Sequence, residues 1–133
     1  MLYCLAWENR SMTKLNRPEL EPFMEPAPTE LTFTDLVEGT GAEAAASSTV
    51  EVHYLGVDYE TGEEFDSSWS RDESINFPLQ RLVRGWQEGI PGMKVGGRRL
   101  LICPPLWAYG PAGSGHRLSG RTLVFVIDLL DVK

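Results

Sequence analysis

The sequence predicts a single α+β domain in which an antiparallel β-sheet packs against one short helix. The first observation is the segment 82–90, whose apolar residues fall at spacings of three and four and therefore share one helix face. These residues are Leu82, Val83, Trp86 and Ile90. The second is that the flanking segments carry strand-forming residues between glycine and proline turns. One short helix among strands can bury a tryptophan only against the sheet, so we expect Trp86 to form the floor of a pocket there.

The chain of 133 residues is predicted to divide into a leader and one domain. Residues 1–30 carry several prolines among glutamates, a composition that favours an extended or disordered leader over a helix. Leu20 and Phe23 are apolar anchors by which this leader could lie on the domain. Residues 31–133 carry the strand and helix signals and form the predicted domain.

The charge and the cysteine content exclude several classes of partner and site. A net charge of −7 disfavours binding to nucleic acid or to an anionic membrane surface, since both require basic patches. No apolar run approaches the ~20 residues of a membrane-spanning helix. Cys4 and Cys103 are predicted to be free thiols in a reducing, cytoplasmic compartment. No CxxC motif or Cys/His cluster supports a metal site.

Four strands are predicted before the helix, from alternating or β-branched runs bounded by turn residues. They cover residues 31–37, 49–59, 63–66 and 75–77. The turn at Thr61-Gly62 joins the second and third strands into a hairpin, and Pro78 ends the fourth. Residues 67–72 are polar and are predicted to form a loop.

After the helix, which Pro91 ends, two further strands are predicted over residues 98–103 and 122–132. The last strand is apolar on both faces up to Ile127, a pattern typical of a central strand. Between these strands lies the glycine-rich loop 106–121. Loops of this length are often functional, and we expect it to lie at the mouth of the pocket.

The sequence argues against covalent, metal and phosphoryl chemistry. Its two histidines, His53 in a strand and His116 in a loop, do not form the pattern of a hydrolytic triad. The carboxylates between residues 58 and 66 surround a hairpin turn, where charges are normally solvated. Gly96-Gly97 follows a helix and precedes a strand, whereas a phosphate-binding loop has glycines leading into a helix.

What remains is a set of aromatic residues spread over the strands, the helix and the long loop. They are Tyr54, Phe65, Trp86, Tyr109 and Phe125. Two interpretations stay open on residue type alone. All five could belong to the core, or they could line a pocket in which the polar tips of tyrosine and tryptophan find partners.

Six motifs occur in register between about residue 31 and residue 132. They are Val52-His53-Tyr54-Leu55-Gly56, residues 62–68, 83–89 and 93–97, Ala108-Tyr109-Gly110, and residues 122–130. Together they resemble the FKBP-type peptidyl-prolyl cis-trans isomerases, and most of all the small cytoplasmic members from actinobacteria. The resemblance implies a half-open antiparallel sheet wrapped around one short helix. It also implies an enzyme without a cofactor that assists protein folding by accelerating rotation about Xaa-Pro peptide bonds.

By motif position, the resemblance places seven residues in an apolar active-site pocket between the helix and the sheet. They are Tyr54, Phe65, Asp66, Val83, Trp86, Tyr109 and Phe125. Trp86 would be the floor and Asp66 part of the rim. The Tyr109 hydroxyl and the backbone N–H of Val83 would face a ligand carbonyl. Further substrate-binding positions are implied at Ile75, Leu82 and Leu118.

The loop 110–121 lacks the Ile-Ile-Pro-Pro run that is usual in the family. It contains His116, Arg117 and Leu118 instead. The pocket mouth is therefore expected to be more basic than usual, which bears on substrate preference. The expected partners are proline-containing peptides, unfolded or folding proteins, and rapamycin-type macrolides, with the protein itself a monomer. An alternative stays open, in which the chain is a proline-peptide or macrolide-binding module with little turnover.

Overall fold

All six predicted strands are present in the computed structural model, which describes residues 17–20, 23 and 25–133. The strands are β1 Thr32–Val37, β2 Thr49–Asp58, β3 Glu64–Ser67, β4 Ile75–Pro78, β5 Arg98–Cys103 and β6 Leu123–Val132. The α-helices are α1 Ser68–Arg71 and α2 Arg84–Gly89, and 3₁₀ turns cover Leu79–Arg81 and Pro105–Trp107. The predicted α+β architecture, an open antiparallel sheet with a short helix against it, is confirmed.

Strand β6 lies at the centre of the sheet, whose strand order is β1-β5-β6-β2-β3. It pairs antiparallel with β2 on one side and with β5 on the other. Residues 123–129 are all buried, which explains why this strand is apolar on both faces. Strands β3 and β4 both pair with β2, near Gly56 and near Val50 respectively, and α1 connects them.

The sheet buries both of its faces, because side chains alternate along β2 and β6. Tyr54 and Phe125 point to the face that α2 covers, where Trp86 and Ile90 complete the main core. The opposite face carries a second apolar cluster of six buried residues. These are Leu55, Val57, Tyr59, Leu100, Val124 and Val126. We call the two sides the helix face and the leader face.

The described residues of the leader cover this second cluster. Leu20 and Phe23 pack against it, and the Phe23 ring stacks on Tyr59 with 4.6 Å between centroids. The Tyr59 hydroxyl donates a hydrogen bond to the carbonyl oxygen of Glu25 at 2.9 Å. Arg17 adds an ion pair to Glu64 of β3. The described leader residues form neither helix nor strand, and the boundary at residue 30 stays a prediction.

The prediction of a loop over residues 67–72 is wrong, because this segment contains helix α1. The Ser67 hydroxyl accepts hydrogen bonds from the backbone N–H groups of Trp69 and Ser70, at 3.1 and 3.3 Å. It thereby caps the helix N-terminus. Asp72 ends the helix in the left-handed conformation, with φ of 54°. Four residues are too few to show an apolar period, so only the cap could have indicated this helix.

Helix α2 begins two residues later than its apolar pattern indicates. Leu82 and Val83 are extended, and a 3₁₀ turn over Leu79–Arg81 leads into them. Val83 is the N-cap residue. Leu82 and Val83, which were predicted to belong to the apolar face of the helix, therefore precede its first turn. Trp86 and Ile90 are buried as expected, with Trp86 4% exposed.

Cys103 is a free thiol, as predicted, and burial raises its pKa to about 12. Cys4 lies outside the described residues. Within the part of the chain that the structure describes, no helix has the length and apolar character needed to cross a bilayer.

Candidate active site

A cavity of about 190 Å³ lies between α2, the helix face of the sheet and the loop that follows the second 3₁₀ turn. Its lining residues are Tyr54, Phe65, Asp66, Ile75, Phe77, Leu82, Val83, Trp86, Tyr109 and Phe125. Nine of the ten residues predicted from the sequence are therefore in one place. Leu118 does not line the cavity; it is half-buried against the edge of the main core.

Three edge-to-face aromatic contacts build the floor of the cavity. The Trp86 ring meets Tyr54 and Phe125 at interplanar angles of 77° and 86°, each with 5.3 Å between centroids. Phe65 meets Phe125 at 87° and 5.6 Å. Such pairs contribute roughly 0.5–1.5 kcal/mol each beyond area burial. The indole N–H of Trp86 is buried without a hydrogen-bond partner among the described residues.

Phe77 is a lining residue that the sequence interpretation missed. It lies on β4 opposite Val50, two residues after Ile75, which lies opposite Val52. The alternation of side chains along a strand puts Phe77 and Ile75 on the same face, so the signal was present in the strand prediction. Phe77 is 43% exposed, which places it at the rim.

Gly56 is a second residue that sequence reasoning missed. It faces Phe125 across the β2–β6 ladder and Asp66 across the β2–β3 ladder. A Cβ atom at this position would lie 2.7 Å from Cζ of Phe65 and 3.2 Å from Cε1 of Phe125. Only a residue without a side chain leaves these two rings in contact.

We expect Gly56→Ala to push Phe65 into the cavity and to lower kcat/KM for Xaa-Pro exchange about tenfold. A tenfold loss corresponds to about 1.4 kcal/mol, within the usual range for overpacking. Val57→Ile is the matched control, because it adds one methylene to the next residue of β2 on the leader face. Equal activity losses in the two variants, measured on folded protein, would contradict this role for Gly56.

A polar network holds the rim opposite the helix. The Tyr54 hydroxyl donates to Oδ2 of Asp66 at 2.6 Å, and Nη1 of Arg71 donates to Oδ1 of Asp66 at 2.7 Å. Nη2 of Arg71 reaches the Tyr54 oxygen at 3.0 Å. Partial burial acts to raise the pKa of Asp66, but the hydrogen bonds from Tyr54 and Arg71 outweigh it and hold the pKa below its usual value. Asp66 is therefore an anion at neutral pH and a poor general acid.

Helix α1 positions this network. It carries Arg71 and places the Ser68 hydroxyl 2.7 Å from the backbone nitrogen of Tyr54, which donates to it. The same hydroxyl is 2.7 Å from Nδ1 of His53, whose ring stacks on Trp69 on the leader face. Arg71 was missed because its segment was predicted to be a loop. The serine cap at Ser67 was the signal that could have found it.

Two further donors face the cavity. Val83, the N-cap residue of α2, has a backbone N–H that donates to no group in the described part of the chain. Tyr109 follows the second 3₁₀ turn and is half-buried. Burial and the nearby charge of Asp66 raise the pKa of Tyr109, and the charge of Arg117 opposes that rise, so its hydroxyl keeps its proton at neutral pH.

The residues present offer little to a metal or to covalent catalysis. Among residues 17–20, 23 and 25–133, no group of three or more His, Cys, Asp or Glu side chains could hold a metal ion. Asp66 is the one carboxylate in the cavity lining, and no histidine, cysteine, serine or threonine is part of it. An open, largely aromatic cavity with a few fixed hydrogen-bond groups is suited to binding and orienting a small apolar unit.

Fold and cavity thus define a class of small domain with an aromatic cavity between a sheet and a short helix. The family model for FKBP-type peptidyl-prolyl cis-trans isomerases matches residues 41–130. A probable FK506-binding protein of Corynebacterium glutamicum is 62% identical over 116 residues, covering 87% of this chain and 98% of the relative. An FK506-binding protein of Streptomyces anulatus is 48% identical over 123 residues, covering 89% and 98%. The chain belongs to the FKBP-type peptidyl-prolyl cis-trans isomerase family.

Solved structures agree with this membership. The crystal structure of FkpA from Escherichia coli matches with a TM-score of 0.71 and 41% identity, over 77% of this chain and 48% of that chain. A crystal structure of AtFKBP13 matches with a TM-score of 0.69 and 32% identity, over 80% of this chain and 96% of that chain. The resemblance drawn from the six sequence motifs is therefore confirmed, and with it the class of enzyme.

Proposed function

We propose that the aromatic cavity is the place where this isomerase rotates Xaa-Pro peptide bonds, by a mechanism that makes and breaks no covalent bond. The observation that carries the proposal is the composition of the lining. Its floor is built by three edge-to-face contacts among Trp86, Tyr54, Phe125 and Phe65, and its polar groups include the fixed Tyr54–Asp66 pair and the Tyr109 hydroxyl. A proline ring is compact and apolar and suits such a floor.

The reaction is a rotation about one C–N bond, so the enzyme has to stabilise the twisted amide and needs no nucleophile, acid or base. The planar amide has a rotation barrier of ~18–20 kcal/mol, and Xaa-Pro bonds interconvert on the order of 10–100 s. The twisted transition state loses amide resonance and is less dipolar than the planar amide. An apolar cavity therefore favours it relative to the ground state, and each ~1.4 kcal/mol of such preference gives about tenfold in rate.

The proposed roles follow from where each group points. Trp86 and Phe125 form the floor under the proline ring, with Phe65, Ile75 and Leu82 as walls. The backbone N–H of Val83, which lacks a partner in the described chain, and the protonated Tyr109 hydroxyl donate to ligand carbonyl oxygens. Asp66, oriented by Tyr54 and Arg71, fixes the rim. Leu118 remains a proposed wall residue that would need a shift of the loop to reach the cavity.

The test is a protease-free measurement of cis/trans exchange in a short Xaa-Pro peptide, with and without a macrolide of the rapamycin or FK506 type. We expect catalysed exchange that the macrolide abolishes by occupying the same cavity. Tight macrolide binding without exchange would leave the alternative, a binding module with little turnover. Exchange that persists at saturating macrolide would place the activity elsewhere.

We further propose proline-containing segments of unfolded or folding proteins as the physiological substrates, with the protein acting as a monomer in the cytoplasm. The cavity has a volume of about 190 Å³, so only a short unit around proline needs to enter it. The free, buried Cys103 suits a reducing compartment. Refolding of a proline-limited protein, sedimentation and cell fractionation test these three points separately.

A further inference from the structure

The loop between β5 and β6 places a histidine directly on a pocket residue. The His116 imidazole stacks on the Tyr109 ring with 4.0 Å between centroids and 9° between planes. Tyr109 is half-buried and lines the cavity, whereas His116 is exposed and is not a lining residue. The imidazole therefore covers one face of a ring that lines the cavity.

Hydrogen bonds fix the imidazole in one protonation state. Nδ1 of His116 accepts a hydrogen bond from the backbone N–H of Leu118 at 3.0 Å. A nitrogen that accepts a hydrogen bond carries no proton, so the ring is neutral with its proton on Nε2. Protonation of Nδ1 would replace this acceptor by a second donor aimed at the Leu118 N–H.

Ser119 ties the same turn back to Tyr109. The His116 backbone N–H donates to the Ser119 hydroxyl at 3.1 Å, and the Ser119 backbone N–H donates to the His116 carbonyl oxygen at 3.0 Å. The Ser119 hydroxyl in turn donates to the carbonyl oxygen of Tyr109 at 2.9 Å. The ring and the backbone of Tyr109 are thus both held by one four-residue turn, 116–119.

We propose that His116 is a positioning residue for the isomerase site, which holds the Tyr109 hydroxyl over the cavity only while its imidazole is neutral. The inference rests on the proposed role of Tyr109 as a donor to the substrate. The charged and titratable groups that face this pair are Arg117, next to His116, and Asp66 across the cavity, both of which act on Tyr109. A proton on Nδ1 breaks the bond from the Leu118 N–H and loosens the stack on Tyr109.

Three substitutions at one position separate the two contacts. His116→Phe keeps a ring on Tyr109 but removes the acceptor for the Leu118 N–H. His116→Asn removes the ring but keeps an acceptor, since an asparagine side chain can accept from the backbone N–H two residues later. His116→Ala removes both. None of the three variants carries an ionisable side chain at this position.

The kinetic readout is kcat/KM for Xaa-Pro exchange between pH 7.5 and pH 5.5. We expect a three- to tenfold fall on acidification in the wild-type protein and a change below twofold in His116→Phe and His116→Asn. At pH 7.5, His116→Ala should lose about fivefold, with each single-contact variant between it and the wild type. The only other histidine in the sequence is His53, so His53→Gln is the matched control and should keep the wild-type pH profile.

A second readout needs no substrate. The ring resonances of Tyr109, assigned with Tyr109→Phe, should shift between pH 7.5 and pH 5.5 in the wild type and not in the His116 variants. A wild-type pH profile in His116→Phe and His116→Asn would overturn the inference, as would Tyr109 resonances that shift between pH 7.5 and pH 5.5 in His116→Ala as they do in the wild type. If no variant or wild-type protein catalysed exchange, the proposed function would fail, and the Tyr109 resonances alone would decide on the positioning.

Discussion

Replacing Trp86 by leucine should lower kcat/KM for Xaa-Pro exchange by about ten- to hundredfold in a chain that still folds. The leucine fills part of the space and keeps the core apolar, but the edge-to-face contacts with Tyr54 and Phe125 are lost. The proline ring then meets a deeper and softer floor. A tenfold loss is about 1.4 kcal/mol and a hundredfold loss about 2.7 kcal/mol, which two aromatic contacts supply in the lower part and at the upper end of their usual range.

A second tryptophan provides the control. Trp69 has a buried indole N–H without a hydrogen-bond partner among the described residues, as Trp86 does, but it packs on the leader face against His53. Trp69→Leu should therefore change stability more than activity. Phe125→Ala should also cost more activity than His53→Ala. Similar activity losses at Trp86 and Trp69, or at Phe125 and His53, would sink the assignment of the cavity as the site of exchange.

Replacing Arg98 by methionine should lower the free energy of unfolding by about 3–5 kcal/mol, a typical cost of leaving one charge of a buried pair behind. Arg98 and Asp128 lie opposite each other on β5 and β6 with side chains 0% and 5% exposed. Nε and Nη2 of Arg98 donate to the two oxygens of Asp128 at 2.5 and 2.7 Å. Denaturant unfolding measures the loss.

Two comparisons make this expectation specific. Arg98→Met combined with Asp128→Leu should recover most of the loss, because no buried charge of the pair remains. Arg84→Met, at an exposed pair with Glu88, should cost less than about 1 kcal/mol. If the double variant is as unstable as Arg98→Met alone, Arg98 does not stabilise the fold through its ion pair with Asp128.

The pH dependence of the Arg98→Met variant has a definite sign. Burial raises the pKa of Asp128, and Arg98 opposes that rise, so removing Arg98 raises the pKa further. A folded-state pKa above the unfolded value means that the folded chain binds the proton more tightly. Stability then falls as the pH rises. The variant should therefore lose less stability at pH 5 than at pH 7, relative to the wild type.

Periodicity predicted what depends on burial over several residues. It placed the long strands, the central position of β6 and the apolar face around Trp86, whereas the short strands β3 and β4 were placed by the turn residues that bound them. The motifs then brought nine lining residues together, including Tyr109, which no period connects to the sheet. The six motifs located these residues because they occur in one order along about a hundred residues, whereas periodicity is judged over a short segment at a time.

The misses have local causes. Helix α1 is a single capped turn, which is too short to show an apolar period. The hydrogen bond from Arg71 to Asp66 was therefore not predicted. Leu118 was assigned by position in a family loop that this chain does not share. Here the turn 116–119 folds over Tyr109 by means of its own histidine and serine, and Leu118 packs beside the cavity instead of lining it.

The leader and the cavity lie on opposite faces of one sheet. Phe23 and Glu25 meet Tyr59 on one side, while Phe65 and Trp86 meet Phe125 on the other. Substitutions that share no partner and are well separated usually combine additively. The Phe23–Tyr59 anchor of the leader and the aromatic floor of the cavity can thus vary independently, whereas Arg17, which lies 3.4 Å from the Ser67 hydroxyl that caps α1, links the leader to the cavity rim.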